Sequence, residues 1–313
     1  MAELSLLDDR KFKDPERIAS GKPRAKVTLR QLDTLWINTG TLCNITCQNC
    51  YIESSPRNDR LVYISTSDVA AYLDEIRDGE LGTREIAFTG GEPFMNPDML
   101  DILRLCLERG FHVLVLTNAM RPMQRHKKAL LEIRSAYPDT LHLRISIDHY
   151  TATRHEEERG PGTFGPTLEG LKWLATNGFD ISVAGRTMWG ESMPEERSGY
   201  AKFFADQGVG IDAYDPSKLV LFPEMDEQVD VPEITTECWS ILGKSPDSVM
   251  CASSRMIVKR KGEAHPVVMP CTLLPYDTSF ELGQTLADAQ KTVSLNHPHC
   301  AKFCVLGGAS CTG

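Results

Sequence analysis

Six short apolar runs alternate with segments of helical periodicity, and this alternation constrains the fold of the 313-residue chain more than any other feature. The runs are Leu35–Asn38, Glu85–Thr89, Phe111–Leu116, Leu141–Ile147, Ile181–Gly185 and Lys218–Phe222. A helix starts near Ser65, places Val69, Leu73 and Ile76 on one face, and stops at Gly79. Further helices are predicted over Met99–Arg109, His126–Ala136, Pro166–Thr176 and Pro194–Asp206. Strands that alternate with helices pair in parallel through right-handed crossovers, so the expected fold class is α/β, a partial (β/α)6 TIM-like barrel. Loops at the C-terminal ends of such strands form one rim, where chemistry is expected.

The informative motifs fall on that rim. After the first strand comes CNITCQNCY, with Cys43, Cys47 and Cys50 in C-x3-C-x2-C spacing. Gly90-Gly91-Glu92-Pro93 follows the second strand and Thr117-Asn118 the third; Ser146 and Asp148 end the fourth, and Arg186 ends the fifth. Three thiolates on one short loop read as a metal site. Structural zinc needs four closed ligands, and the nearest further cysteine, Cys106, falls in a helical segment where it reads as a small core residue. A 4Fe-4S cluster held by three cysteines leaves one iron open to bind a small molecule. On the motif alone, a structural zinc or redox cysteine cluster is the alternative. In GGEP the glycines let the backbone approach a ligand, and Glu92 offers a carboxylate to an ammonium group.

Composition narrows the partners. With 34 basic against 43 acidic residues and a net charge of -9, neither nucleic acid nor an anionic membrane surface suits the chain as its main partner. The first residues carry charge where a signal peptide needs an apolar core, and no apolar run reaches bilayer length, so a cytoplasmic location is expected. Ten cysteines there point to metal binding or catalysis rather than disulfides. Six of them, Cys238, Cys251, Cys271, Cys300, Cys304 and Cys311, lie beyond residue 237. Residues 235–313 therefore read as a small cysteine-rich domain held by metal, after an N-terminal arm at 1–34 and the barrel at 35–234. A hairpin of Met256–Lys259 and Pro266–Met269 turns at Gly262, and a helix is expected at Leu286–Lys291. A zinc knuckle would serve four such thiolates equally well. His149, His155 and the other histidines show no metal-site spacing and read as solvated or locally bonded.

The cysteine loop, the GGE turn and the segment SIDHYTATRHEEERG resemble the radical S-adenosylmethionine (radical SAM) enzymes, especially those that mature peptides and sulfatases. The resemblance implies a 4Fe-4S cluster on Cys43, Cys47 and Cys50 whose open iron chelates the amino and carboxylate groups of S-adenosylmethionine. It implies that Gly90, Gly91 and Glu92 bind the amino group, that Ser146 meets the ribose or carboxylate, and that Arg159 or Arg186 pairs with the carboxylate. Asn118 belongs to the same cofactor site. Arg159, next to Glu156–Glu158, reads equally as part of a surface ion pair. Many family members carry an aromatic residue just before the third cysteine; here Asn49 stands there and Tyr51 just after, so packing on the adenine is expected to change. Asp148 is the expected catalytic residue, orienting substrate or accepting a proton, beside the plainer reading of a strand-end cap.

The C-terminal region resembles the twitch or SPASM extensions of such enzymes. That implies one auxiliary 4Fe-4S cluster on Cys251 and Cys271 with Cys311 and one of Cys300 or Cys304, Cys238 being an alternative. The implied activity is that of an oxidoreductase. S-adenosylmethionine is cleaved reductively to a 5'-deoxyadenosyl radical, which takes hydrogen from a small-molecule or peptide substrate in a two-electron oxidation or cross-link. An external one-electron donor such as flavodoxin or ferredoxin is implied as a partner. The 34-residue arm is short for a peptide-recognition domain, which favours a small-molecule substrate. The alternatives are a radical SAM rearrangement enzyme of cofactor or natural-product biosynthesis and a non-enzymatic zinc or iron-sulfur scaffold or redox sensor.

Overall fold

The computed structural model describes residues 6–224 and 226–308. Its strands in chain order are β1 (Lys26–Val27), β2 (Thr34–Asn38), β3 (Glu85–Thr89), β4 (His112–Thr117), β5 (Leu141–Ser146), β6 (Asp180–Thr187), β7 (Leu219–Pro223), β8 (Ser254–Val258), β9 (Val267–Met269) and β10 (Val293–Ser294). The helices are α1 (Thr66–Asp78), α2 (Met99–Glu108), α3 (Arg121–Gln124), α4 (Lys127–Ala136), α5 (Ala152–Arg159), α6 (Phe164–Thr176), α7 (Met193–Gln207) and α8 (Cys238–Leu242). Strands β2 to β7 pair in parallel in sequence order, as the alternation of strand and helix predicts.

Side chains alternate across these strands. Leu35, Ile37, Ile86, Phe88, Val113 and Val115 pack with Leu73, Leu103 and Leu130 of the helices, whereas Trp36, Ala87 and Leu114 join a separate cluster on the inner face. Each fully buried aliphatic side chain contributes about 1.5–3 kcal/mol relative to exposure, so this outer layer holds the barrel together. Helix α1 is capped by Ser65, whose hydroxyl accepts from Asp68 N–H at 3.1 Å while Asp68 accepts from Ser65 N–H at 3.0 Å. Helix α5 lies in a stretch where the sequence predicts no helix. Its buried residues are His155 and Glu158, so its inward face has no apolar stripe for periodicity to detect.

The C-terminal hairpin forms as expected, with Met256 opposite Met269, but β8 also pairs in parallel with β2, Thr34 opposite Ser254. The hairpin thus extends the barrel sheet, giving the order β7-β6-β5-β4-β3-β2-β8-β9. Trp36 and Leu61 share a cluster with Met256, Val258, Met269, Leu273 and Phe303, so this segment takes its core from the inner face of the barrel. The helix expected at Leu286–Lys291 is only a 3-10 turn, Asp288–Gln290, and a wide helical turn spans Cys300–Leu306. Nor is the arm loose. Strand β1 pairs with β10, Phe12 and Val27 pack with Ile234, Leu295 and Cys300, and buried Arg24 meets Glu233 at 2.6 Å. No helix of the described residues is long and apolar enough to cross a membrane.

Candidate metal and cofactor site

The chain leaves β2 through Gly40, at φ +109°, and enters the cysteine loop. There it passes directly over the GGE turn: Gly91 N–H donates to Gly40 O at 2.8 Å, and Glu92 N–H to Leu42 O at 3.1 Å. This crossing explains both glycines. A Cβ on Gly90 would stand 2.5 Å from Gly40 O, and one on Gly91 2.1 Å from Leu42 O. The far side of the loop is clamped by the end of α5. Gln48 N–H donates to Glu158 O at 2.7 Å, and the Glu158 carboxylate, 2 % exposed, accepts from the Asn49 N–H at 3.0 Å and its side-chain amide at 2.8 Å.

Cys43, Cys47 and Cys50 line one cleft at the C-terminal rim, a space of about 1080 Å³ that is partly open to solvent. Tyr51, Gly90, Gly91, Asn118, Ser146, Asp148, Arg159 and Arg186 line it too, so residues from five strand ends converge. Burial pushes the Cys43 thiol up to about 12 and the Cys47 thiol to about 11, so metal ligation here releases protons. The Asn118 amide donates to Asn44 Oδ1 at 2.9 Å and lies 4.0 Å from Cys43 Sγ.

Two residues expected to contact the cofactor are turned to structural work. Glu92 is 2 % exposed and does not line the cleft; its carboxylate accepts from the Thr117 hydroxyl at 2.8 Å, Asn118 N–H at 2.9 Å and Phe94 N–H at 3.2 Å. Burial pushes its carboxyl up to about 7 against the pull of those donors, and the contacts tie the turn after β3 to the end of β4. Asn49 does not line the cleft either, because its amide is held by Glu158.

The arginines differ. Asp148 and Arg159 form a bidentate pair at 2.6 and 3.0 Å with little exposure on either side, not a surface pair, and both Asp148 oxygens are engaged. Arg186 donates through Nη1 to Asn49 O at 3.3 Å and lies 3.8 Å from Glu158, while its buried Nε and Nη2 have no partner among the described residues. A guanidinium edge with two unmet donors in a cleft suits a carboxylate, which it can bind through two parallel hydrogen bonds. Glu158 and Thr117 had no assigned role in the sequence; both act through backbone and loop contacts that residue spacing does not reveal.

A second, mostly apolar pocket of about 380 Å³ is lined by Cys251, Cys271, Cys300 and Cys304 together with His299. Burial pushes Cys251 up to about 11 and Cys300 to about 12. Beside it Arg255, 0 % exposed, donates among the described residues to the carbonyl oxygens of Cys251, Ser254, Ala289 and Lys291. Burial lowers its pKa to about 10, and the opposing influences are Cys251 and Cys271. A buried cation facing carbonyls is costly, and an anionic metal-thiolate centre beside it would offset that cost. Cys238 does not line this pocket, its sulfur instead accepting from Thr235 N–H at 3.3 Å, and Cys311 lies outside the described residues. Leu273 lines both pockets.

A parallel partial barrel with three cysteines, two close-packed glycines and an unsatisfied arginine on its C-terminal rim defines a class of metal-dependent enzymes. Residues 37–203, more than half of the chain, match the Radical SAM superfamily, and the chain belongs to that family, which implies a 4Fe-4S cluster and S-adenosylmethionine. AlbA, the antilisterial bacteriocin subtilosin biosynthesis protein of Bacillus subtilis (strain 168), is 28% identical over 269 residues, 80% of this chain and 57% of AlbA. Streptococcus suis SuiB bound to precursor peptide SuiA shares the fold with a TM-score of 0.57 at 15% identity, over 79% of this chain and 61% of SuiB. Native anSMEcpe with bound AdoMet and Cp18Cys peptide shares it with a TM-score of 0.58 at 14% identity, over 82% of this chain and 79% of anSMEcpe. The chain thus spans less than two thirds of the length of AlbA and SuiB.

Proposed function

We propose that this protein is a radical SAM oxidoreductase that takes hydrogen from a peptide and oxidises it by two electrons, leaving a cross-link or a new unsaturation. The observation that carries the reading is the convergence in one cleft of three cysteines and the unmet Nε and Nη2 of Arg186. A peptide is favoured over a small molecule because AlbA is named for bacteriocin biosynthesis and SuiB and anSMEcpe were each seen with a peptide.

Cys43, Cys47 and Cys50 hold the cluster, and the backbone of Gly90 and Gly91 with the Ser146 side chain borders its S-adenosylmethionine. When bound, cluster and cofactor supply a 5'-deoxyadenosyl radical by reductive cleavage, with the electron coming from a carrier such as flavodoxin or ferredoxin. Arg186 binds the cofactor carboxylate. Asp148, its charge balanced by Arg159, orients substrate. Tyr51, Ile45, Leu116 and Phe222 give the cleft apolar walls that exclude water from the reacting atoms. Residues 235–313 form the twitch-like auxiliary unit, whose metal centre draws its thiolates from among the cysteines that line the second pocket. Leu273 lines both that centre's pocket and the cleft, a proximity that suits the centre to accept the second electron.

The test is anaerobic reconstitution followed by S-adenosylmethionine and a strong reductant. Wild type should release 5'-deoxyadenosine; the combined Cys43→Ala, Cys47→Ala, Cys50→Ala variant should release none yet keep the iron of the second pocket. Iron-loaded wild type that yields no 5'-deoxyadenosine would refute the enzyme reading.

A further inference from the structure

His299 lines the cysteine pocket, is 2 % exposed, and precedes Cys300 at the start of the last helical turn. Its Nε2 lies 3.0 Å from Glu227 Oε1, and its Nδ1 is buried with no hydrogen-bond partner among the described residues. His297 stands beside it with Nε2 3.6 Å from the same oxygen, and its Nδ1 accepts His299 N–H at 3.2 Å. Three possible ligand atoms of Glu227, His297 and His299 thus lie within 4.8 Å of one another, a grouping that residue spacing did not reveal.

A cation among those three atoms would need lone pairs on both Nε2 atoms. The hydrogen bonds place the protons the other way. A neutral His297 whose Nδ1 accepts carries its hydrogen on Nε2, and the Glu227 carboxylate holds His299 in the same tautomer. Both rings then donate to Glu227. His299 Nδ1 is left as a buried lone pair with nothing to bond, on a residue of the cysteine-pocket wall. A carboxylate on one ring nitrogen is the arrangement that orients a histidine to ligate metal through the other.

We propose that His299 is a ligand of the metal centre in this pocket, binding through Nδ1 alongside Cys251, Cys271 and Cys300, with Glu227 as its positioning residue. The inference rests on the presence of the auxiliary centre argued above. Cys304, less buried than the other three pocket cysteines, is then dispensable. The metal is thiophilic, an iron of an iron-sulfur cluster or a zinc ion, and both are compatible with a mixed sulfur and nitrogen ligand set.

The variant with Cys43, Cys47 and Cys50 all changed to Ala isolates the pocket. Prepared with ¹⁵N-labelled histidine, reduced and measured by pulsed EPR, its iron form should show a histidine nitrogen coupling that follows the isotope. The coupling should be lost in His299→Ala, altered in Glu227→Gln and kept, with full metal content, in Cys304→Ser. If the pocket holds zinc, X-ray absorption should give nitrogen beside sulfur in wild type and lose it in His299→Ala; the iron assignment then fails while the ligand assignment stands. A centre with sulfur ligands alone overturns the role of His299, and a pocket that binds neither metal overturns both.

Discussion

Glu158 sets the shape of the cysteine loop. Its buried carboxylate holds both the main chain and the amide of Asn49, between Cys47 and Cys50. Partners of this kind behind metal ligands typically change metal affinity by about 10–100-fold when removed. Glu158→Ala should therefore lower iron retention in the loop by about that factor, read as the chelator concentration that strips the cluster, while the second pocket keeps its metal. Equal retention in both proteins would show that the clamp is idle. Gly91 makes the complementary point at the same scale. No side chain is tolerated there because backbone, which cannot swing aside, lies 2.1 Å from where its Cβ would be.

Helices α5 and α7 carry polar groups where apolar ones were expected to be needed. In α5 the inward residues are His155 and Glu158, and neither ring nitrogen of His155 has a partner. In α7, Glu196 is 1 % exposed and neither carboxylate oxygen is hydrogen-bonded. Burial, with Glu191 adding like-charge repulsion, pushes its carboxyl from 4.5 to about 7. Between those values the folded chain binds a proton that the unfolded chain does not, so stability falls as pH rises through the window. Glu196→Gln removes the ionisation. It should melt like wild type near pH 4 and be more stable by on the order of 1–3 kcal/mol at pH 8, as read from thermal unfolding. A difference that does not grow with pH would place the titration elsewhere.

At the scale of the molecule, the pairing of β8 with β2 makes the C-terminal segment part of the barrel's sheet. Without residues 254–308, the β2 edge from Thr34 to Ile37 would be bare, and Trp36 and Leu61 would lose the partners of their cluster. Uncovered edges of apolar strands recruit other chains. A protein ending at residue 253 should aggregate, eluting in the void volume on size exclusion where the full chain does not. A well-behaved monomer would mean the barrel closes its edge unaided.

The sequence determined the order of strands and helices, because apolar runs and helix stops are local. It also grouped the candidate ligands on the rim, because Cys43, Cys47 and Cys50 share one short loop and strand ends in a parallel sheet must face the same way. Tertiary structure decided what no local pattern records. It paired Arg159 with Asp148 and left Arg186 with two donors that have no partner among the described residues. It turned Glu92 and Asn49 inward to hold turns together, and it joined β8 to a strand more than two hundred residues earlier. Each of these depends on a partner distant in sequence, and hydrogen bonds and packing between distant segments leave no periodicity in the chain itself.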